Sequence, residues 1–261
     1  MTTLTDRSIA TLRRLHDRLA ARVPSLTDED LARTSGAEEW PLAQVLSHLG
    51  SAAEIARAAY RAALDGSEPP GPDFNQQVWD RWNALDRRAQ ADAYVGSDAA
   101  LVELLESLTD RQRAELTVRS FLPDPLPLET MVGMRLSEVA QHTWDAEVTL
   151  DPAATLDGEA GELLVRHYAA GLGFLLGFVG KADAVAGPAV VEMAGSGLAF
   201  VIADRVELTA SAPAATATLT AAPESVIRLI GGRLKPDHTP DAVAVTGNVT
   251  LDDLRAVFPG Y

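Results

Sequence analysis

The sequence predicts an α + (α+β) chain, with a four-helix bundle in the first half and a small α+β domain with an antiparallel sheet in the second. Three observations carry that expectation. Apolar residues recur at helical spacing along the stretch that ends at Leu150. After Asp151-Pro152 come short segments rich in Val, Ala and Thr, several with period-two alternation. Stretches rich in proline and glycine, notably GSEPPGP from Gly66 to Pro72 and then Pro123, Pro125 and Pro127, punctuate the helical half and imply long connections. The boundary is placed so that the bundle spans 1–155 and the α+β domain 156–261.

Leu4, Ile9, Leu12, Leu15 and Leu19 define the first helix, with Arg and Asp between them. His16, next to Asp17 and Arg18, reads there as a surface residue. The polar stretch from Pro24 to Glu39 reads as a connection, and Trp40-Pro41 opens a second helix, since Pro is tolerated in a first turn. A third helical region runs from about Phe74 to Tyr94, is interrupted or capped at Gly96-Ser97-Asp98, and continues to Leu108. The fourth helix runs from Met134 to about Leu150.

In the second half, Glu159 to about Val179 is apolar nearly all round and reads as a buried helix. The segments AVVEMA, LAFVIA, RVELTA, TATLTA and AVAVTG read as strands. Pro223 to Ile230 reads as a helix, and Thr250 caps a last short one that ends at Val257. Runs of strands with helices set apart suggest the antiparallel sheet.

Composition narrows the function. The formal net charge is −15, which argues against nucleic acid or an anionic membrane as partner, because phosphate contacts need clustered Lys and Arg. No apolar run approaches the roughly 20 residues that span a bilayer. The N-terminal segment alternates charged and apolar residues, unlike a signal peptide, so a cytoplasmic location is expected. Lys occurs only at Lys181 and Lys235 amid many Arg and Ala, a pattern of GC-rich, actinobacterial genomes. There is no Cys, so any thiol in the chemistry must arrive from outside the chain.

The chemistry-bearing pattern is a spaced trio. Glu138 and His142 stand at i and i+4 on the fourth helix, a spacing at which two side chains meet at one point. Leu136, Val139 and Ala140 can pack near the same inward face, where a carboxylate and an imidazole need a compensating partner. His48, between Ser47 and Leu49 on the second helix, faces them if those helices pack together. Two imidazoles and one carboxylate suit a divalent metal, zinc first, with iron or nickel as alternatives. Three protein ligands leave an open position, as in catalytic zinc sites. Taken alone, an E-x-x-x-H pair is more often a solvated pair on a helix surface. Asp145 is placed either to orient His142 as an outer carboxylate or to solvate the helix.

The flanks of this trio resemble a known family. E-E-W-P-L-A-Q-V-L-S-H-L, Glu38 to Leu49, and E-V-A-Q-H-T-W-D, Glu138 to Asp145, are similar to the metal motifs of mycothiol-dependent maleylpyruvate isomerases. D-F-N-Q-Q-V-W-D-R-W from Asp73 to Trp82 and the stretch from Ile227 to Leu251 extend the resemblance across most of the chain, more weakly beyond residue 150. The resemblance implies a DinB-like bundle and metal ligation by His48, Glu138 and His142. It implies mycothiol as thiol cofactor and an essential arginine in the C-terminal domain. Arg233 is the candidate, with Arg228 as competitor.

The expected reaction is cis–trans isomerisation of a small unsaturated diacid through addition and elimination of a metal-held thiolate. An arginine would hold a substrate carboxylate or the developing enolate. The same bundle and ligand set serve thiol S-transferases, and one chain does not separate the two reactions. A non-catalytic scaffold that binds a metal or an apolar ligand is the reading from another class. Hydrolysis by metal-bound water is a further option, with Asp145 the only nearby general base.

Overall fold

The computed structural model describes residues 2–119, 122–210 and 213–260. The chain separates into two compact units, Met1–Ala154 and Thr155–Tyr261. The first is mostly helical and the second combines helices with a small sheet.

In the first unit, α1 (Leu4–Arg22) begins at an N-cap, Thr3, whose side chain accepts from the Asp6 N–H while Asp6 accepts from the Thr3 N–H. The short α2 (Asp28–Ala32) follows, capped the same way by Thr27. It lies inside the polar stretch that reads from sequence as a connection. The long α3 (Leu42–Asp65) starts directly after Pro41 and stops at Gly66, whose φ of +67° gives the left-handed cap that glycine adopts without strain. Then come α4 (Pro72–Asn83), α5 (Arg87–Glu106) and α6 (Asp110–Glu115). A two-stranded antiparallel ribbon of β1 (Thr117–Val118) and β2 (Leu126–Pro127) leads into α7 (Leu128–Leu150). Four long helices make the frame: α3 packs on α5 and α7, and α1 packs on the same two. Leu12, Leu15, Leu46, Leu49, Leu101, Leu105, Val132 and Leu136 fill the interior between them.

Three expectations for this unit need correction. The third helical region breaks at Ala84–Asp86 rather than at Gly96, because Asp86 caps α5 by accepting from the Ala89 N–H. Gly96 lies inside α5 facing open space, where a lone glycine costs a helix only about 1 kcal/mol. The fourth helix begins six residues earlier than Met134, at Leu128, and most of its length is buried. His16 is not a surface residue: it is 4% exposed and its Nδ1 lies 2.8 Å from Asp98 Oδ2. Two charged sequence neighbours suggested solvent, but helical geometry turns His16 toward the same side as Leu12 and Leu19.

In the second unit, α8 (Gly158–Ala169) packs against α10 (Pro223–Ile230). Gly161 permits the contact, since a Cβ there would fall 2.7 Å from the Glu224 backbone nitrogen. The continuous helix expected from Glu159 to Val179 does not form. The chain leaves α8 at Ala170, turns by 91°, and resumes as a 3₁₀ turn and the short α9 (Leu176–Val179). Gly171, Gly173 and Gly177 weaken helix propagation through this stretch. Phe178 ends up 71% exposed rather than buried.

The sheet corrects a further expectation. Its strands are β3 (Ala189–Met193), β4 (Leu198–Ile202), β5 (Val206–Thr209), β6 (Ala217–Thr220) and β7 (Ala244–Gly247), in the order β5-β4-β3-β6-β7. It is mixed, not antiparallel, because β6 passes its sequence neighbour and lies parallel to β3, pairing Val191 with Ala217 and Met193 with Leu219. The other pairs are antiparallel. Period-two alternation shows that a segment is a strand and which face is inward, but not which neighbour it chooses. Phe200 of β4 meets Phe258, just after α11 (Leu251–Val257), with ring centroids 5.3 Å apart. No single described helix is long and apolar enough to cross a membrane.

Candidate metal centre

The site forms where α3 and α7 pack together. His48 sits two turns into α3, and Glu138 and His142 lie a turn apart near the middle of α7. His48 Nε2 is 3.0 Å from Glu138 Oε2, and His142 Nε2 is 3.7 Å from the same oxygen. The two imidazoles meet edge to face at 4.7 Å. One donor atom from each of the three side chains lies within 4.8 Å of the others.

This arrangement fits a divalent metal. Ligand atoms bound at about 2.0–2.2 Å in a tetrahedral shell lie roughly 3.3 Å apart, and the two contacts to the carboxylate, 3.0 and 3.7 Å, fall on either side of that value. His48 and Glu138 stay partly exposed while His142 is buried, so the cluster opens toward one side. Burial opposes the charge of Glu138. The hydrogen bond from His48 and the attraction of His142, His48 and Arg135 outweigh it and hold the carboxyl down at about 2. The carboxylate therefore stands ready as an anionic ligand.

Asp145 is fully buried one turn beyond His142, with Oδ2 2.8 Å from His142 Nδ1. A carboxylate there accepts a hydrogen bond from Nδ1–H and so leaves the Nε2 lone pair directed at Glu138 and His48. The Asp145 carbonyl accepts from the Thr149 hydroxyl at 2.8 Å and from the Gly36 N–H at 3.0 Å.

Trp40 lies across both imidazoles, 5.0 Å from His48 and stacked 5.8 Å from His142. The loop before α3 holds it there. The Ser35 N–H and hydroxyl both donate to the Trp40 carbonyl, and the Trp40 N–H donates to Ala37. Nothing in the local sequence distinguishes such a wall from a buried anchor, because the second partner, His142, comes from α7. Trp144 is a buried anchor, donating from its indole to the Ala154 carbonyl at 2.9 Å.

The two arginine candidates belong to the second unit. Arg228 is 1% exposed and clamps its own fold, with a two-pronged contact to Glu224 and a 2.7 Å donation to the His238 carbonyl. Arg233 is 7% exposed and donates to the Gly231 carbonyl at 2.8 Å.

Two crystal structures match the fold with a TM-score of 0.66, at 17% identity, over 95% of this chain and 98% of theirs. One is described as the mycothiol-dependent maleylpyruvate isomerase, the other as its histidine-to-alanine mutant. At that identity the likeness speaks to the fold alone. No curated protein matches the sequence. The family described as Mycothiol maleylpyruvate isomerase N-terminal domain matches residues 12–147, a span that takes in α3, most of α7 and every side chain of the cluster. Since that match covers more than half of its length, the chain belongs to the mycothiol maleylpyruvate isomerase N-terminal domain family.

Proposed function

We propose that this protein is a zinc- and thiol-dependent enzyme that converts a small cis-unsaturated diacid of the maleylpyruvate type into its trans isomer, with mycothiol as the external thiol. The observation that carries the reading is the convergence of His48, Glu138 and His142 within 4.8 Å, with Asp145 behind His142. We read α1, α3, α5 and α7 as the DinB-like bundle that supports this centre.

Zinc, when bound, supplies a Lewis acid that keeps a coordinating thiol deprotonated. His48 and His142 would bind it through Nε2 and Glu138 through its carboxylate. Asp145 keeps the His142 ring in the right tautomer and orientation. Trp40 gives the open side an apolar aromatic wall, which favours exclusion of water from a reacting thiolate. The chain has no cysteine, so the sulfur must come from a cofactor. Arg233 is proposed as the arginine needed for turnover, because guanidinium groups bind carboxylates through two parallel hydrogen bonds. Arg228, which contacts Glu224 and the His238 carbonyl, is the competing candidate.

The test is metal analysis together with an isomerisation assay on maleylpyruvate, with and without mycothiol. About one zinc per chain, lost in His48→Ala, and turnover that requires the thiol support the reading. A metal-free protein after gentle purification rejects it and favours a scaffold. A stable thiol adduct with another electrophile assigns the centre to S-transfer instead. Arg233→Ala is expected to lose turnover with metal content unchanged.

A further inference from the structure

Beneath the metal centre lies a buried charge cluster that the reaction does not call on directly. Arg135 is on α7, one turn before Glu138, and is 6% exposed. The same terminal nitrogen donates to Asp98 Oδ1 at 2.6 Å and to the Leu49 carbonyl at 3.0 Å. The other carboxylate oxygen of Asp98 lies 2.8 Å from His16 Nδ1. His16 is on α1, Leu49 on α3, Asp98 on α5 and Arg135 on α7, so the cluster joins all four long helices. Asp98 is 1% exposed, and burial works against its charge, but His16 and Arg135 keep its carboxyl below the usual range.

Such a cluster is a costly way to hold helices together. A buried ion pair is often no more stabilising than apolar residues of similar volume, so stability alone does not explain it. Its position offers another reason. Leu49 follows His48 directly, and Arg135 precedes Glu138 by one turn. The guanidinium therefore ties the backbone beside one candidate ligand to the helix that carries the other two. Directional bonds of this kind fix the offset between helices, which apolar packing leaves freer to slide.

We propose that Arg135, held by Asp98 and His16, is a positioning residue that sets the offset of α3 against α7 and thereby preorganises His48, Glu138 and His142 for metal. Asp98 has a second effect in the same direction, because it balances a fixed positive charge one turn from where a cation binds. The inference rests on the metal reading given above.

Two variants test it by zinc affinity, measured in competition with a chromophoric chelator, and by the thermal midpoint of the metal-free protein. Asp98→Asn keeps the shape and removes the charge; it is expected to weaken zinc at least tenfold. His16→Leu/Asp98→Ala/Arg135→Met replaces the whole cluster with apolar side chains of similar total volume. It is expected to keep the wild-type midpoint and still bind zinc at least tenfold more weakly. A merely structural role predicts the opposite for this triple variant, recovery of affinity along with stability, and that result would overturn the proposal. So would Asp98→Asn binding zinc within threefold of wild type. If the wild-type protein itself takes up no zinc, the metal reading fails and the positioning role falls with it. That outcome is distinct from a wild type that binds and variants that bind equally well.

Discussion

The Gly36 N–H donates to the carbonyl of Asp145 at 3.0 Å, pinning the loop before α3 to the helix that carries Glu138 and His142. The approach is so close that a Cβ on Gly36 would lie 2.8 Å from Asp145 Oδ1 and 2.9 Å from both Asp145 Cα and Val148 Cγ1. Two of those atoms belong to a buried side chain and to backbone, which cannot move aside cheaply.

Gly36→Ala is therefore expected to push the loop off α7 and carry Trp40 away from the imidazoles. Overpacking of this kind costs about 1–3 kcal/mol. Denaturant unfolding of the metal-free protein should show a loss in that range, with weaker zinc binding alongside. Wild-type stability and affinity in this variant would mean that the loop has room to relax.

Asp145→Asn keeps the shape of the side chain but not its charge, so the His142 ring loses its fixed tautomer. Groups that orient a metal-bound histidine are worth about 10–100-fold in affinity or activity. The expected outcome is a zinc affinity lower by that factor, read by chelator competition in protein that remains folded. Unchanged affinity would make Asp145 a helix-packing residue only.

Why the trio was legible in the sequence and its surroundings were not follows from where each partner lies. Glu138 and His142 are one turn apart on the same helix, so spacing alone joins them. His48 needed the resemblance to a family, because the distance between α3 and α7 is a tertiary fact. Asp145 is local to His142 and could be anticipated. Gly36 and Trp40 meet α7 from a loop more than a hundred residues earlier, and His16 meets Asp98 from α1, so no local pattern marks any of them. The sheet shows the same division. Alternation identified the strands, but β6 beside β3 is a non-local choice. The glycines after Ala169 were visible in the sequence, yet the apolar run outweighed them in the reading, and the 91° turn shows which effect prevailed.

Trp40 offers an optical report on the centre. It is one of four tryptophans, but the one that contacts both His48 and His142. Zinc should immobilise both rings and change the tryptophan emission of the wild type. Trp40→Phe keeps an aromatic wall, so affinity is expected to stay within about threefold, a shift below 1 kcal/mol. The emission response should be lost in that variant. An undiminished response in Trp40→Phe would place the reporting indole elsewhere.

His167, in the last turn of α8, gives the second unit an acid-sensitive element. It is 1% exposed, and burial pushes its imidazole down from 6.5 to about 4. The folded state holds the ring neutral, while the unfolded chain takes up a proton near the ordinary value. The stabilisation is therefore complete above about pH 6.5 and is lost as pH falls toward 4. With about 1.36 kcal/mol per pKa unit, the loss across that window is on the order of 3 kcal/mol at most. Carboxylates elsewhere also titrate in acid, so the measurement is a difference. Urea unfolding of the wild type and of His167→Leu should be compared at pH 7 and pH 4.5. The wild type is expected to lose more stability than the variant over that interval, by up to roughly 2–3 kcal/mol. Equal losses would show that the buried imidazole keeps an ordinary affinity for protons.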